Sequence, residues 1–118
     1  MSFVDGVVIP VPEANRARYL EEATAMAALF LDCGATEVLD AWGSDVPEGE
    51  RTSFPLAVAL EPGEAVVFSW VRWPSKAVRD AGWARAMQDP RMTEMQSFDG
   101  SRMIYGGFDV IQSQRKDA

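Results

Sequence analysis

The chain is 118 residues long, 47% hydrophobic and 25% charged, the balance of a globular protein able to build a core. Its formal net charge is −7 and its longest basic run is Arg115-Lys116, which argues against nucleic-acid binding, because phosphate backbones are held by clustered cations. Histidine is absent and Cys33 is the single cysteine, so His-based nucleophilic catalysis, a histidine haem ligand and an internal disulfide are excluded. A transition-metal site lacks its usual ligands, and no metal or cofactor is expected.

The first residues have neither the basic start nor the apolar run of a secretory signal, and nowhere do about 20 apolar residues follow one another as a bilayer span requires. A cytoplasmic location away from membranes is the expectation. One domain is expected over residues 1–112, with 113–118 as a frayed polar tail.

In chain order, Phe3 to Val11 is rich in β-branched residues and bounded by Pro10 and Pro12, which predicts a first strand. From Glu13 to Cys33 the period changes. Leu20, Ala23, Ala27, Phe30 and Leu31 recur at helical spacing, Arg18, Glu21, Glu22 and Asp32 take the other side, and Gly34 supplies the stop. Glu37 to Asp45 reads as a second strand, ended by Val46-Pro47-Glu48-Gly49-Glu50. Phe54 to Leu60 stays open between a helical turn and an edge strand, since Pro55 suits both. Ala65 to Trp73 is the clearest strand. Ser75 is an N-cap for a helix to about Gln88, with Val78, Ala81 and Met87 inward. Asp89-Pro90 opens a short helix over Arg91 to Met95, and Arg102 to Ile111 forms the last strand. The order implies an α+β class: a ferredoxin-like split βαβ antiparallel sheet with the helices on one face.

Both faces of that sheet are apolar. Val66, Phe68 and Trp70 alternate with Val67, Ser69, Val71 and Trp73, and Met103 and Tyr105 oppose Ile104, Phe108 and Val110. Helices cover one face, and a second sheet-sized apolar surface left in water would invite aggregation. Too few residues are spare for the chain to cover it, so a homodimer is expected.

Several separated segments resemble a known family. They are Phe3-Val4-Asp5-Gly6-Val7-Val8, Trp42 with Asp45-Val46-Pro47, Val66-Val67-Phe68-Ser69-Trp70, Asp89-Pro90-Arg91-Met92, and Phe98-Asp99-Gly100 with Arg102 to Phe108. The chain resembles the YbaA-like bacterial proteins of unknown function, over nearly its whole length. The resemblance implies a dimeric α/β barrel and brings no activity. Analogy at the superfamily level adds cofactor-independent oxygenases, small isomerases and haem-degrading enzymes, the last weakened by the missing histidine.

Asp5 is an acid inside an apolar strand, expensive to bury unless paired. It reads either as a pocket acid or base or, more commonly, as half of an ion pair. The pair would be made across a dimer or with Arg102, if the last strand leaves its usual place to lie beside the first. Trp42, Trp70, Trp73 and Tyr105 could line a cavity for a flat apolar ligand oriented by Arg102 and Ser69, or pack the core and dimer interface. These seven are the candidate ligand-binding residues, and no catalytic residue is assigned. Asp45 sits in a turn that turn chemistry explains. Arg79 and Asp80 are adjacent in a helix and are expected to face apart. Gly106-Gly107 marks a bulge or a close backbone approach, and Cys33 is buried filling. The expected function is binding of a small aromatic molecule by a homodimer. The alternatives are an oxygenase-like or isomerase-like enzyme and a non-catalytic interaction or sensing module.

Overall fold

Alternating apolar segments pair into one antiparallel sheet of four strands, β1 (Phe3–Pro12), β2 (Glu37–Trp42), β3 (Glu64–Trp73) and β4 (Ile104–Asp109). The structure, a computed structural model, describes residues 2–116; Met1 and the last two residues of the polar tail lie outside the described residues. The strand order is β2-β3-β1-β4, so the last strand neighbours the first within the ferredoxin-like arrangement itself, with no departure from it.

Three helices join the strands: α1 (Arg16–Asp32), α2 (Phe54–Ala57) and α3 (Lys76–Ala86). A single 3-10 turn, Glu13–Asn15, leads from β1 into α1. The open segment after Ser53 is helical. Ser53 Oγ accepts the Leu56 N–H at 3.0 Å and Pro55 fills the first turn, where its missing N–H costs nothing. Ser75 caps α3 in the same way, taking the Val78 N–H at 3.1 Å.

Several expected boundaries move. No helix forms over Arg91–Met95: Asp89 Oδ1 takes the Arg91 N–H at 2.8 Å, closing a tight turn, and the N–H groups of Gln96 and Ser97 go to the Glu22 carboxylate at 2.9 and 3.1 Å. With the amides at both ends of so short a segment held elsewhere, the costly first helical turn is not offset. β2 ends at Trp42, and Gly43 makes a last bond to the Val66 carbonyl at 2.8 Å before Pro47 and the turn residues leave the ladder. Arg102 lies outside β4, in a 3-10 turn (Gly100–Arg102) whose Ser101 N–H is held by Asp99 at 3.0 Å. Leu20, Leu31, Ala81 and Met87, expected inward, are exposed. The buried stripe of α1 runs instead through Tyr19, Ala23, Leu29 and Phe30.

The helix-facing core has two parts. Phe3, Leu29, Phe30, Cys33, Trp73 and Ala86 form one, and Ile9, Val11, Tyr19, Ala23 and Val67 the other. α3 can approach the sheet because residue 82 is glycine. A Cβ there would stand 2.8 Å from the Cys33 carbonyl oxygen and drive into the Trp73 ring. On the opposite face Val58 and Leu60, just after α2, pack on Val8 and Val66, and Phe54 meets the Phe68 ring edge-on at 6.1 Å. So α2 serves the face that the two long helices leave uncovered. No helix among the described residues is long and apolar enough to cross a membrane.

Candidate functional site

The strand registers set one row of side chains across the helix-facing floor. Asp40 of β2 pairs with Ser69 of β3, Ser69 with Val7 of β1, and Val7 with Tyr105 of β4. The neighbouring row is Val38, Val71, Asp5 and Gly107. Between this floor, α1 and the loop after α3 lies a cavity of about 190 Å³. Its walls are largely apolar: Ala23, Met26, Ala27 and Phe30 come from α1, and Met92, Met95 and Phe98 from the loop. That loop is held over the cavity by the Glu22 carboxylate, by Asn15 Nδ2 on the Ser97 carbonyl at 3.0 Å, and by Arg91 on Asp32 at 2.7 Å. A wider recess of about 590 Å³ adjoins it, sharing Asp5, Val7, Trp83 and Met103, and is bounded outside by Arg79, Asp80, Tyr105 and Gly106.

Asp5 sits where the two spaces meet and is 7% exposed. Oδ1 accepts Arg79 Nη2 at 2.8 Å and Nε at 3.0 Å, while Oδ2 accepts the indole N–H groups of Trp73 at 2.9 Å and Trp83 at 3.0 Å. A carboxylate has about four acceptor positions, and all are used. The Arg79 guanidinium lies 5.1 Å over the Phe3 ring and also reaches back to Asp80, Nη1 to Oδ1 at 2.9 Å. Adjacent helix residues therefore do meet here, because the long arginine side chain turns back along its own helix. Its hydrogen bond to Asp5, then that to Asp80, raises its proton affinity above the ordinary arginine value. Gly107 permits the approach: a Cβ there would fall 2.6 Å from the Phe3 ring and 3.0 Å from Arg79 Nη2.

At the other end Tyr19 donates its hydroxyl to Asp40 Oδ1 at 2.6 Å. Burial, followed by the bond to Asp40 and the charges of Asp40 and Glu22, pushes this phenol well above the ordinary tyrosine range, so it stays protonated.

Of the seven residues singled out from sequence, Asp5 and Ser69 line the inner cavity and Tyr105 borders the outer recess. Trp73 is fully buried beneath Asp5 and serves it as a donor. Trp42 is packed in the second core cluster with the Arg16 guanidinium 5.0 Å over its ring. Trp70 stands on the opposite sheet face, two residues from Phe68. Arg102 is elsewhere: it grips Glu64 through two bonds of 2.7 Å, Asp99 at 2.9 Å and the Ala59 carbonyl at 3.0 Å. The partner of Asp5 is thus Arg79, and Arg102 is spent on a separate ion cluster. Tyr19, Asp40, Arg79 and Trp83 were not among the seven. Asp40 was within reach of the same alternation that marks Asp5, since it stands between Val38 and Trp42 on the same face.

Residues 2–100 match the family described as "Protein of unknown function (DUF1428)". The chain belongs to that family. Among its relatives is the "Uncharacterized protein YbaA" of Escherichia coli strain K12, 49% identical over 114 residues, which cover 94% of this chain and 97% of the relative. The proteins of that name from Escherichia coli O157:H7 and Shigella flexneri match to the same extent. The YbaA-like resemblance read from the segments around Asp5, Trp42 and Trp70 is therefore a true kinship, and the family description brings no reaction with it.

Proposed function

We propose that the protein is a cytoplasmic homodimer that binds one small, mainly apolar molecule per subunit in the cavity between sheet and helices. The observation that carries the reading is the cavity itself: an apolar chamber with a few polar side chains at its ends, the usual make-up of a small-molecule site. Asp5, the acid where the two spaces meet, has no acceptor position free to take a substrate proton, so it does not serve as the base of an oxygenase-like or isomerase-like reaction. A buried single thiol, Cys33, fits a reducing compartment.

The homodimer is supported by the uncovered sheet face. Leu39, Phe68, Ile104 and Phe108 are exposed there in one patch, with Phe54 and Leu56 beside them. Two copies of a chain with net charge −7 repel, so a self-contact needs a surface without charge. The centre of this face carries none, and the charged pair Glu37–Arg72 stands at one end of it. Two such faces joined would close the dimeric barrel.

The cavity is tested by ligand-observed NMR with toluene, p-cresol, 4-methylbenzamide and 4-methylbenzoate. Saturable uptake of at least one of them, lost in Ala27→Phe, which fills the chamber, is the expected result. Failure of all four to bind would overturn the reading.

A further inference from the structure

The polar groups facing the inner cavity are mainly acceptors. Asp40, exposed at the mouth of the cavity, uses Oδ1 on Tyr19, and among the described residues no donor meets its Oδ2. Tyr19 gives its only hydrogen to Asp40, so its oxygen can only accept. The Ser69 hydroxyl, next to Asp40 across the β2–β3 ladder, has no hydrogen-bond partner among the described residues. Neighbouring positions on paired strands hold their Cβ atoms about 5 Å apart, close enough for one ligand atom to meet both side chains. The N–H donors in the neighbourhood are taken. Arg79 spends Nε and Nη2 on Asp5 and Nη1 on Asp80, and it borders the outer recess only. The Trp83 N–H is spent on Asp5. Among the described residues the cavity thus offers acceptors and negative charge and no free N–H; its one free donor, the Ser69 hydroxyl, stands beside the Asp40 carboxylate, whose charge disfavours an anion there.

Size and wall chemistry narrow the rest. A dry cavity of roughly 150 Å³ admits benzene, so one of about 190 Å³ suits a single ring with a small substituent. Met26, Met92, Met95 and Met103 all contribute to the wall. Thioethers adapt to irregular shapes and make favourable contacts with ring edges, which prefers an aromatic ring to an aliphatic one.

We infer that the molecule bound is a single-ring aromatic bearing an O–H or N–H donor, a phenol or an amine, with that donor on Asp40 and Ser69, and that aromatic carboxylates are rejected. This rests on the binding proposed above, and the same four probes separate the two. Toluene supplies the ring alone, p-cresol adds a donor, and 4-methylbenzamide and 4-methylbenzoate match in size and differ in charge. The expected order is p-cresol over toluene by at least about threefold, the gain of a hydrogen bond to an acceptor that is open to solvent. 4-Methylbenzamide should bind and 4-methylbenzoate should not. In Asp40→Asn the discrimination against the carboxylate should fall at least about tenfold, and in Ser69→Ala the advantage of p-cresol over toluene should shrink while toluene binding is unchanged. Circular dichroism checks that each variant folds, and either one is enough for the test. Toluene binding as tightly as p-cresol, or 4-methylbenzoate binding as tightly as 4-methylbenzamide, would overturn the donor assignment and leave the cavity reading standing. Silence from all four would remove both.

Discussion

Replacing Asp5 with alanine removes the acceptor of two indole N–H groups and one guanidinium at once. The Trp73 N–H is fully buried and finds no water, and an unsatisfied buried donor costs about 1–3 kcal/mol. Trp83 is half-buried and the Arg79 side chain is 25% exposed, so both can turn partly towards solvent, and their loss is worth less than a buried value. Together these give about 3 kcal/mol, the lower end of the range for breaking a buried pair by deleting one partner. In a chain of this length that is a fall in Tm of about 10 °C or more. Urea unfolding followed by circular dichroism measures it directly. The double variant Asp5→Leu, Arg79→Met removes both charges together, and should be more stable than the sum of the single changes predicts, by about 1.5 kcal/mol. A loss below about 1 kcal/mol for Asp5→Ala, or strict additivity in the cycle, would refute the claim that this cluster holds α3 to the sheet.

Three other outcomes follow from the packing and the charges. Gly82→Ala should destabilise by about 2 kcal/mol, because α3 must lift from Trp73 and the Cys33 carbonyl; thermal unfolding checks it, and an unchanged Tm would contradict the close approach. Glu64 is held below its usual value of 4.5, first by its hydrogen bonds from Arg102. Asp99 is held at about 2, first by Ser101 and then by Arg102. A depressed folded pKa gives stability that is complete above pH 4.5 and drains away as the pH falls towards about 2, so Arg102→Met should flatten the acid limb of the stability profile. Equal slopes for the two proteins would count against the cluster. Phe108→Asp places a charge in the apolar patch of the uncovered face, where Phe108 is 61% exposed, and should halve the mass measured by light scattering at micromolar concentration without lowering helix content. A wild-type mass of one chain would sink the homodimer.

Much of the fold is legible in local pattern. The alternation in Ala65–Trp73 assigns Val67, Ser69, Val71 and Trp73 to one side, and that side faces the helices. Ser75 announces the start of α3 by its own chemistry. The pattern loses its hold where a backbone donor has a distant competitor. Arg91–Met95 looks helical by its cap and stays irregular because Glu22, more than seventy residues away, claims the amides of Gln96 and Ser97. The candidate site shows the same division. An acid in an apolar strand marks Asp5 as needing a partner, yet nothing local distinguishes Arg79 from Arg102 as that partner.

By itself the sequence determined the period of each long segment, the capped ends of the helices, the two-sided apolar sheet and the family, along with the exclusion of histidine chemistry. These are properties of neighbours along the chain, where spacing and side-chain type suffice. Only the tertiary structure decided which side chains meet. The β2-β3-β1-β4 order and its registers bring Asp5 under α3, aligning Asp40 with Ser69 and Tyr19 at one end of a methionine-walled cavity. Arg102 goes to Glu64, and Trp70 to the far face. Long-range pairing is set by sheet register and helix docking, and a shift of one residue in either would exchange every one of these partners.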